Sequence, residues 1–428
     1  MDSVSTPAPS LRSTAWLIVA LLFPVALLNY LDRQMIAAMK GSVMHDIPSI
    51  GSEANWGYML GQFKWVYAIL SPIGGYIADR FSRKFTICAS LFCWSAITYA
   101  TGKVETYDSL LWTRTLMGIS EAFYIPAALA LIADYHASRT RSRAVGAHQI
   151  GIYAGVITGS FAGYVADAPQ LGWRWMFDIT GLIGLLYALP LIWFLRDAPR
   201  ETSATATQAG KLSPARSARE LLTNGAFILL VLYFTLPALA AWIVRDWMPA
   251  ILQKELNLKQ GLAGVSAVVY WQGAAIFSAI LGGWLADRWM RRTPRARIYV
   301  SALGVGCLMP AMLGVGVVLS QGSLPLAILF LILFGIGWGL FDGNNMPILS
   351  QIVRPELRAT GYGVMNLVSI SCGGFADWGF GALRDAKVPL NLIFGAFAGL
   401  ALLSIVLVLL IRPRDMESTK PLAEAPRQ

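Results

Sequence analysis

Charge is scarce in this 428-residue chain: Asp, Glu, Lys and Arg make up 14% of it, where soluble domains carry about 25%. That shortfall excludes an ordinary soluble globule. Cysteine is scarce too. Cys88, Cys93, Cys307 and Cys372 all lie in apolar stretches without a CxxC pair, which excludes a disulfide scaffold and reads as small core residues. Only three histidines are present; His136 and His148 flank one loop and His45 lies across the membrane from them, so a histidine metal cluster is hard to build. No P-loop pattern occurs, which removes support for ATP-driven transport. With no nucleophile constellation either, the sequence indicates a protein that is not an enzyme and needs no cofactor.

What the chain has in excess is apolar length. Hydrophobic residues are 56% of it, gathered into blocks of about 20 residues, each able to span a bilayer core of about 30 Å. Twelve spans are expected near 14–39, 56–78, 85–102, 108–133, 144–166, 173–195, 225–250, 262–286, 298–320, 325–348, 359–383 and 390–411. Helices follow from the run length, since only helices or closed barrels satisfy every backbone group in lipid. The fold class is therefore an all-α membrane protein. With the N-terminus inside, 23 of the 34 Lys and Arg fall on the cytoplasmic side and 7 on the other, so both termini are expected to be cytoplasmic. The net charge of +10 is this bias and needs no nucleic-acid partner.

A polar stretch rich in Ser, Thr, Ala and basic residues divides the spans six and six. The expected organisation is a bundle over 1–195, a flexible cytoplasmic linker over 196–224, a second bundle over 225–412 and a disordered tail over 413–428. An internal repeat supports the division. GGYIADRFSRK at 74–84 returns as GGWLADRWMRR at 282–292, each at the exit of the second span of its half. RAVGAHQIGI at 143–152 is echoed by RATGYGVMNL at 358–367. Paired six-span halves are what secondary transporters build around a midplane site.

These motifs carry a family resemblance over about 14–411. The run Gly75, Asp79, Arg80, Arg83, Lys84, with a degenerate copy at Gly283, Asp287 and Arg288, resembles the signature loop of the major facilitator superfamily. Arg114 and Gly118 resemble its fourth-span motif, and Gly151, Gly155, Gly159 and Gly163 its glycine-rich fifth span. Asp79, Arg80, Arg83, Asp287 and Arg288 are accordingly expected to gate, through contacts that hold one access state shut. Fourfold glycine spacing places one face for close helix approach.

Ionisable residues inside spans mark function. Here they are Asp32, Arg33, Lys64, Arg114, Glu121, Arg245, Asp246, Asp342 and Asp377. Adjacent residues point about 100° apart on a helix, so Asp32 and Arg33 cannot share a face. Asn29, Tyr30 and Arg33 are assigned to the cavity lining. Asp32 turns to a neighbouring helix, with Lys64 as a candidate partner. Arg33 is the anion candidate, because a guanidinium offers two parallel hydrogen bonds and keeps its charge. Glu121 is the proton candidate; Asp32 is either a second proton carrier or a structural ion pair. In the C-half, Asp342, Asn344 and Asn345 fall at an expected break in the tenth span, where they could take hydroxyls; Tyr270, Gln272 and Asn366 are weaker candidates for the same cavity. Arg245 and Asp246 suit an outer gate or an interfacial anchor.

Asn29-Tyr-Leu-Asp32-Arg33 together with Gly118-Ile-Ser-Glu121 resembles two branches of the superfamily. The anion:cation symporters, sialin-like and sugar-acid carriers, imply an Arg that holds a carboxylate and acids in spans one and four that carry protons. The spinster-like carriers, which the basic run Arg288–Arg297 also resembles, imply export of lysolipids and sphingolipids. The leading expectation is proton-coupled symport of a small organic anion such as a hexonate or hexuronate, with Lys64 a second positive site. The expected setting is a bacterial-type inner membrane, and a monomer is the family's usual state.

Overall fold

A computed structural model describes residues 9–198 and 214–411, apart from 81 and 137. Its long helices are Pro9–Ala38, Glu53–Arg80, Arg83–Thr101, Tyr107–Glu121 continued by Tyr124–Tyr135, Ser138–Ser160, Gly172–Phe194, Gly225–Asp246, Gln260–Met290, Ala296–Gln321, Leu324–Ile352, Arg358–Asp385 and Leu390–Leu410. Taken in order these are the first to twelfth spans, within a few residues of the expected runs. Those that begin and end the described chain do so on one face, called here the terminal face; the opposite one is the distal face. The expected tail over 413–428 lies outside the described residues.

Packing follows the repeat. The first span lies on the fifth, the second on the fourth and the third on the sixth; the seventh lies on the eleventh, the eighth on the tenth and the ninth on the twelfth. Glycine sets how close these pairs come. A Cβ on Gly155 would sit 2.2 Å from the Leu27 carbonyl oxygen and one on Gly159 would sit 2.8 Å from that of Leu31. Gly163, the last of the fourfold series, instead faces Gln260 of the eighth span. Two seams join the bundles, the second span against the eleventh and the fifth against the eighth.

Among the described residues, eight spans are long and apolar enough to cross a membrane on composition alone; the second, third, fifth and eleventh are not among them. Three of those four form the seams, where they face protein rather than lipid and can carry polar side chains.

Three expectations change. The fourth span is not continuous: it breaks at Ala122 and Phe123, directly after Glu121. Pro126 explains the break, since its ring removes one amide donor and crowds the carbonyl of Ala122 four residues back. The tenth span, expected to break at its glycines, runs unbroken over Leu324–Ile352. Its glycines are contact points instead: a Cβ on Gly335 would lie 2.1 Å from the Trp271 carbonyl oxygen, and one on Gly339 would lie 2.0 Å from Ser278 Oγ. Within the expected flexible linker, Pro214–Leu222 forms a helix. Leu221 buries against the C-terminal core, and Glu220 pairs with Arg354 at 2.6 Å.

Candidate functional site

Two buried polar networks meet between the bundles. The first belongs to the N-terminal six spans. Arg33 Nε donates to Glu121 Oε2 at 2.6 Å, with Glu121 fully buried. The pairing is single-point, because among the described residues Arg33 Nη2 and Glu121 Oε1 both lack a hydrogen-bond partner. Asn29, fully buried, stands against Glu121. The guanidinium is enclosed by rings: its carbon lies 4.8 Å from the centre of Tyr30, 5.0 Å from Phe63 and 4.5 Å from Tyr67. Such faces hold a cation where water is excluded.

Asp32 does turn away from Arg33. Its Oδ2 accepts from the Thr98 hydroxyl of the third span at 2.8 Å. Arg114, also buried, lies over Phe63 at 5.1 Å and, among the described residues, reaches no carboxylate within ion-pair distance; Met117 Sδ is 3.1 Å from its Nη1.

The second network crosses the seam between the second and eleventh spans. Lys64 Nζ donates to Asp246 Oδ2 at 2.5 Å and to Asp377 Oδ2, so Lys64 is not the partner of Asp32. One ammonium thus ties together the second, seventh and eleventh spans. Trp247 Nε1 donates to the other oxygen of Asp377 at 3.2 Å, and Trp242 lies under the ammonium at 4.1 Å. Arg245 Nε stands 4.0 Å from Asp246 Oδ1. A cavity of about 30 Å³ separates the networks, lined by Arg33, Lys64, Tyr67, Arg114, Arg245 and Asp246 among others. It has room for water and no more.

The distal face is shut. Asp385 Oδ1 and Oδ2 accept from the backbone amides of Glu53 and Ala54 at 3.0 and 2.8 Å, which caps the second span from the eleventh. Asp167 Oδ2 accepts from the Gly261 amide at 2.8 Å and caps the eighth span from the end of the fifth. Carboxylates at helix N-termini meet unpaired amides and the positive end of the helix dipole. Beneath the caps the backbones touch: a Cβ on Gly57 would lie 2.2 Å from the Asp377 carbonyl oxygen, and one on Gly264 would lie 2.4 Å from that of Ser160. Among the described residues, the hydrogen bonds between bundles lie in this distal half. The bundles are therefore closed on each other at the distal face.

A family model, the Major Facilitator Superfamily, matches residues 22–377. The chain belongs to that superfamily. It is a multi-pass membrane transporter. It is 30% identical over 370 residues to protein spinster homolog 1 of Bos taurus, covering 80% of this chain and 68% of that one. An MFS-type efflux pump of Mycolicibacterium smegmatis is 27% identical over 87% of this chain and 85% of its own. Among solved structures, a bacterial homolog to the human lysosomal transporter spinster, inward-facing and occupied, superposes with a TM-score of 0.79 at 21% identity, over 95% of this chain and 97% of that one. A D-xylose-proton symporter superposes with a TM-score of 0.76 at 17% identity, over 92% and 97%.

The other expected residues of the transporter divide. Tyr30 is half-buried between Arg33 and Arg245, whose guanidinium carbon is 5.2 Å from its ring centre. Asn366 is half-buried beside Tyr362. Asn344 and Asn345 are buried within the C-terminal bundle, and the Asn344 amide donates to its own helix at Leu340 O, 2.9 Å away. The unbroken tenth span is the reason: without unwinding, these positions face the neighbouring helices and not a cavity. Gln272 is buried and Tyr270 exposed; among the described residues neither joins the Arg33 or Lys64 network.

Of the expected gating residues, the side chains of Asp79 and Arg80 lie outside the described residues. Arg83 Nη1 donates to Ala130 O at 3.0 Å and pairs with Asp134, bracing the third span on the fourth. Asp287 accepts from Arg297 at 2.6 Å inside the C-terminal bundle, and Arg288 is exposed.

Sequence reasoning missed the contributions of Phe63 and Tyr67 and of the two capping aspartates. The caps did leave a trace: Asp167-Ala168 and Asp385-Ala386 end equivalent stretches of the two halves.

Proposed function

We propose that this transporter carries an organic anion together with a proton, and that Arg33 and Glu121 exchange partners to do so. The single-point ion pair carries the proposal. Arg33 keeps a free Nη2 edge and Glu121 a free Oε1 inside a water-poor enclosure. An arriving carboxylate or phosphate takes both edges of the guanidinium. Glu121, released from its cation in a low-dielectric site, then holds a proton. Anion and proton cross together, so the buried site keeps its net charge and avoids the cost of an unpaired ion in the membrane. Asp32, bound to Thr98, is the second proton carrier in this scheme.

A sugar acid fits the Arg33 end. The second reading, an anionic single-chain lipid, is favoured by two observations. Asn344 and Asn345, two of the three groups expected to read hydroxyls, are buried, which leaves only Asp342 of the three exposed, and the curated relatives include spinster proteins. The excess of Lys and Arg on the terminal side supports a cytoplasmic terminal face.

The test is equilibrium binding of gluconate and of a lysophospholipid to purified protein and to Arg33→Lys. Lysine keeps the charge but loses the planar fork, so the affinity of whichever anion binds should fall about tenfold. Unchanged affinity in Arg33→Lys removes Arg33 from the site.

A further inference from the structure

Asp342 has no role in the exchange just described, and its surroundings are unlike those of every other intramembrane acid in the chain. It sits about 15 Å inside the terminal end of the tenth span, at membrane depth, yet it is exposed. That combination places it on the space opened between the bundles toward the terminal face. Asp32 has Thr98, Glu121 has Arg33, and Asp246 and Asp377 have Lys64. Among the described residues Asp342 has no cationic partner within ion-pair distance. What surrounds it is aromatic and neutral. Tyr153 of the fifth span and Tyr362 of the eleventh are within electrostatic reach of its carboxylate, and Tyr30 of the first span is within reach of both tyrosines. Buried Asn345 flanks it on its own helix.

A carboxylate at membrane depth that faces a cavity marks a substrate or ion path. A carboxylate without a cation, with tyrosines within electrostatic reach, suits an organic ammonium, which pairs with the charge and is held further wherever a ring face meets it. We propose that Asp342, with Tyr30, Tyr153 and Tyr362, is a subsite for a cationic nitrogen of the substrate. Tyr30 is shared between the two ends of the site, because its ring also lies 4.8 Å from Arg33 and 5.2 Å from Arg245. The substrate then carries both charges: an anionic group at the arginine end and an alkylated or primary ammonium at the Asp342 end. This inference rests on the carrier reading above and narrows it to zwitterions.

The experiment follows thermal unfolding of the purified protein while tetramethylammonium chloride is titrated against sodium chloride of equal ionic strength, with sodium gluconate titrated separately. Tetramethylammonium should stabilise the protein saturably, with an apparent affinity at least tenfold weaker in Asp342→Asn and close to wild type in Asp342→Glu. The gluconate response should survive Asp342→Asn and weaken about tenfold in Arg33→Lys. Equal tetramethylammonium affinity in wild type and Asp342→Asn overturns the subsite, as does a wild type that answers gluconate but not the ammonium. Loss of both responses in Asp342→Asn also overturns it, since the carboxylate would then not be a separable site. A wild type that answers the ammonium through Asp342 but never gluconate keeps the subsite and removes the sugar-acid reading instead.

Discussion

The two seams that close the distal face are related by the internal repeat but are built from different chemistry. Both have a helix N-terminus capped by an aspartate from across the seam, Asp385 on the second span and Asp167 on the eighth. Both have glycines that let backbones touch, Gly57 on one side and Gly264 on the other. Among the described residues, only the seam of the second and eleventh spans adds a buried ion cluster, Lys64 with Asp246 and Asp377. Opening that seam separates a buried ammonium from two carboxylates, whereas opening the other separates mainly backbone and a capped helix end. The repeat therefore supplies a common hinge surface, and the ion cluster makes one seam the electrostatic latch.

The largest effect should come from removing the close approach itself. Gly57→Val and Gly264→Val each place a side chain where a rigid backbone carbonyl already lies, 2.2 and 2.4 Å from the first added carbon, so the two helices must part along the whole seam. Each variant should lose transport with the distal face held open, read as modification of an introduced distal cysteine by a membrane-impermeant thiol reagent. If Gly264→Val behaves as wild type, the fifth and eighth spans do not need to meet.

Breaking the latch ranks next. Lys64→Met leaves two carboxylates buried without their cation, a loss of about 3–5 kcal/mol for a broken buried pair. The variant should unfold at a lower temperature and label more readily from the distal side. Adding Asp377→Asn should recover part of the loss, because one orphaned charge is then gone. A Lys64→Met protein as stable and as closed as wild type would mean that the cluster does not hold the seam.

The smallest effect belongs to the caps. Asp385→Asn and Asp167→Asn keep a hydrogen-bonding side chain but lose its charge at the helix end, worth about 0.3–1 kcal/mol each near a solvent-exposed terminus. The two variants should shift distal labelling by similar amounts. A clear inequality between them would show that the seams differ at the caps as well as at the ion cluster.

Much of this architecture was legible because it is written in period and composition. Span number, order and the six-and-six division follow from apolar run length and from the copied GGxxADR motif. The charged residues of the site were legible one by one, since any ion at membrane depth stands out. Their pairing was not. Lys64 could reach Asp32 or the seventh and eleventh spans, and only the close approach of Gly57 to Asp377 decides for the latter. The tenth span shows the opposite failure. Its glycines suggested unwinding, but glycine serves helix contact as well as helix breakage, and the facing Trp271 and Ser278 select contact. Pro126 carried a visible signal for the break after Glu121, and it places that carboxylate at a helix end rather than within a continuous span.

The central proposal is that anion and proton cross together through Arg33 and Glu121. It is tested most directly by following the external pH of weakly buffered proteoliposomes as gluconate, a neutral sugar and a lysophospholipid are added in turn. The account predicts alkalinisation with one anion class and none with the neutral sugar, abolished in Glu121→Gln while anion exchange persists. Uptake of the anion with no pH change, or an unaltered pH signal in Glu121→Gln, would contradict it.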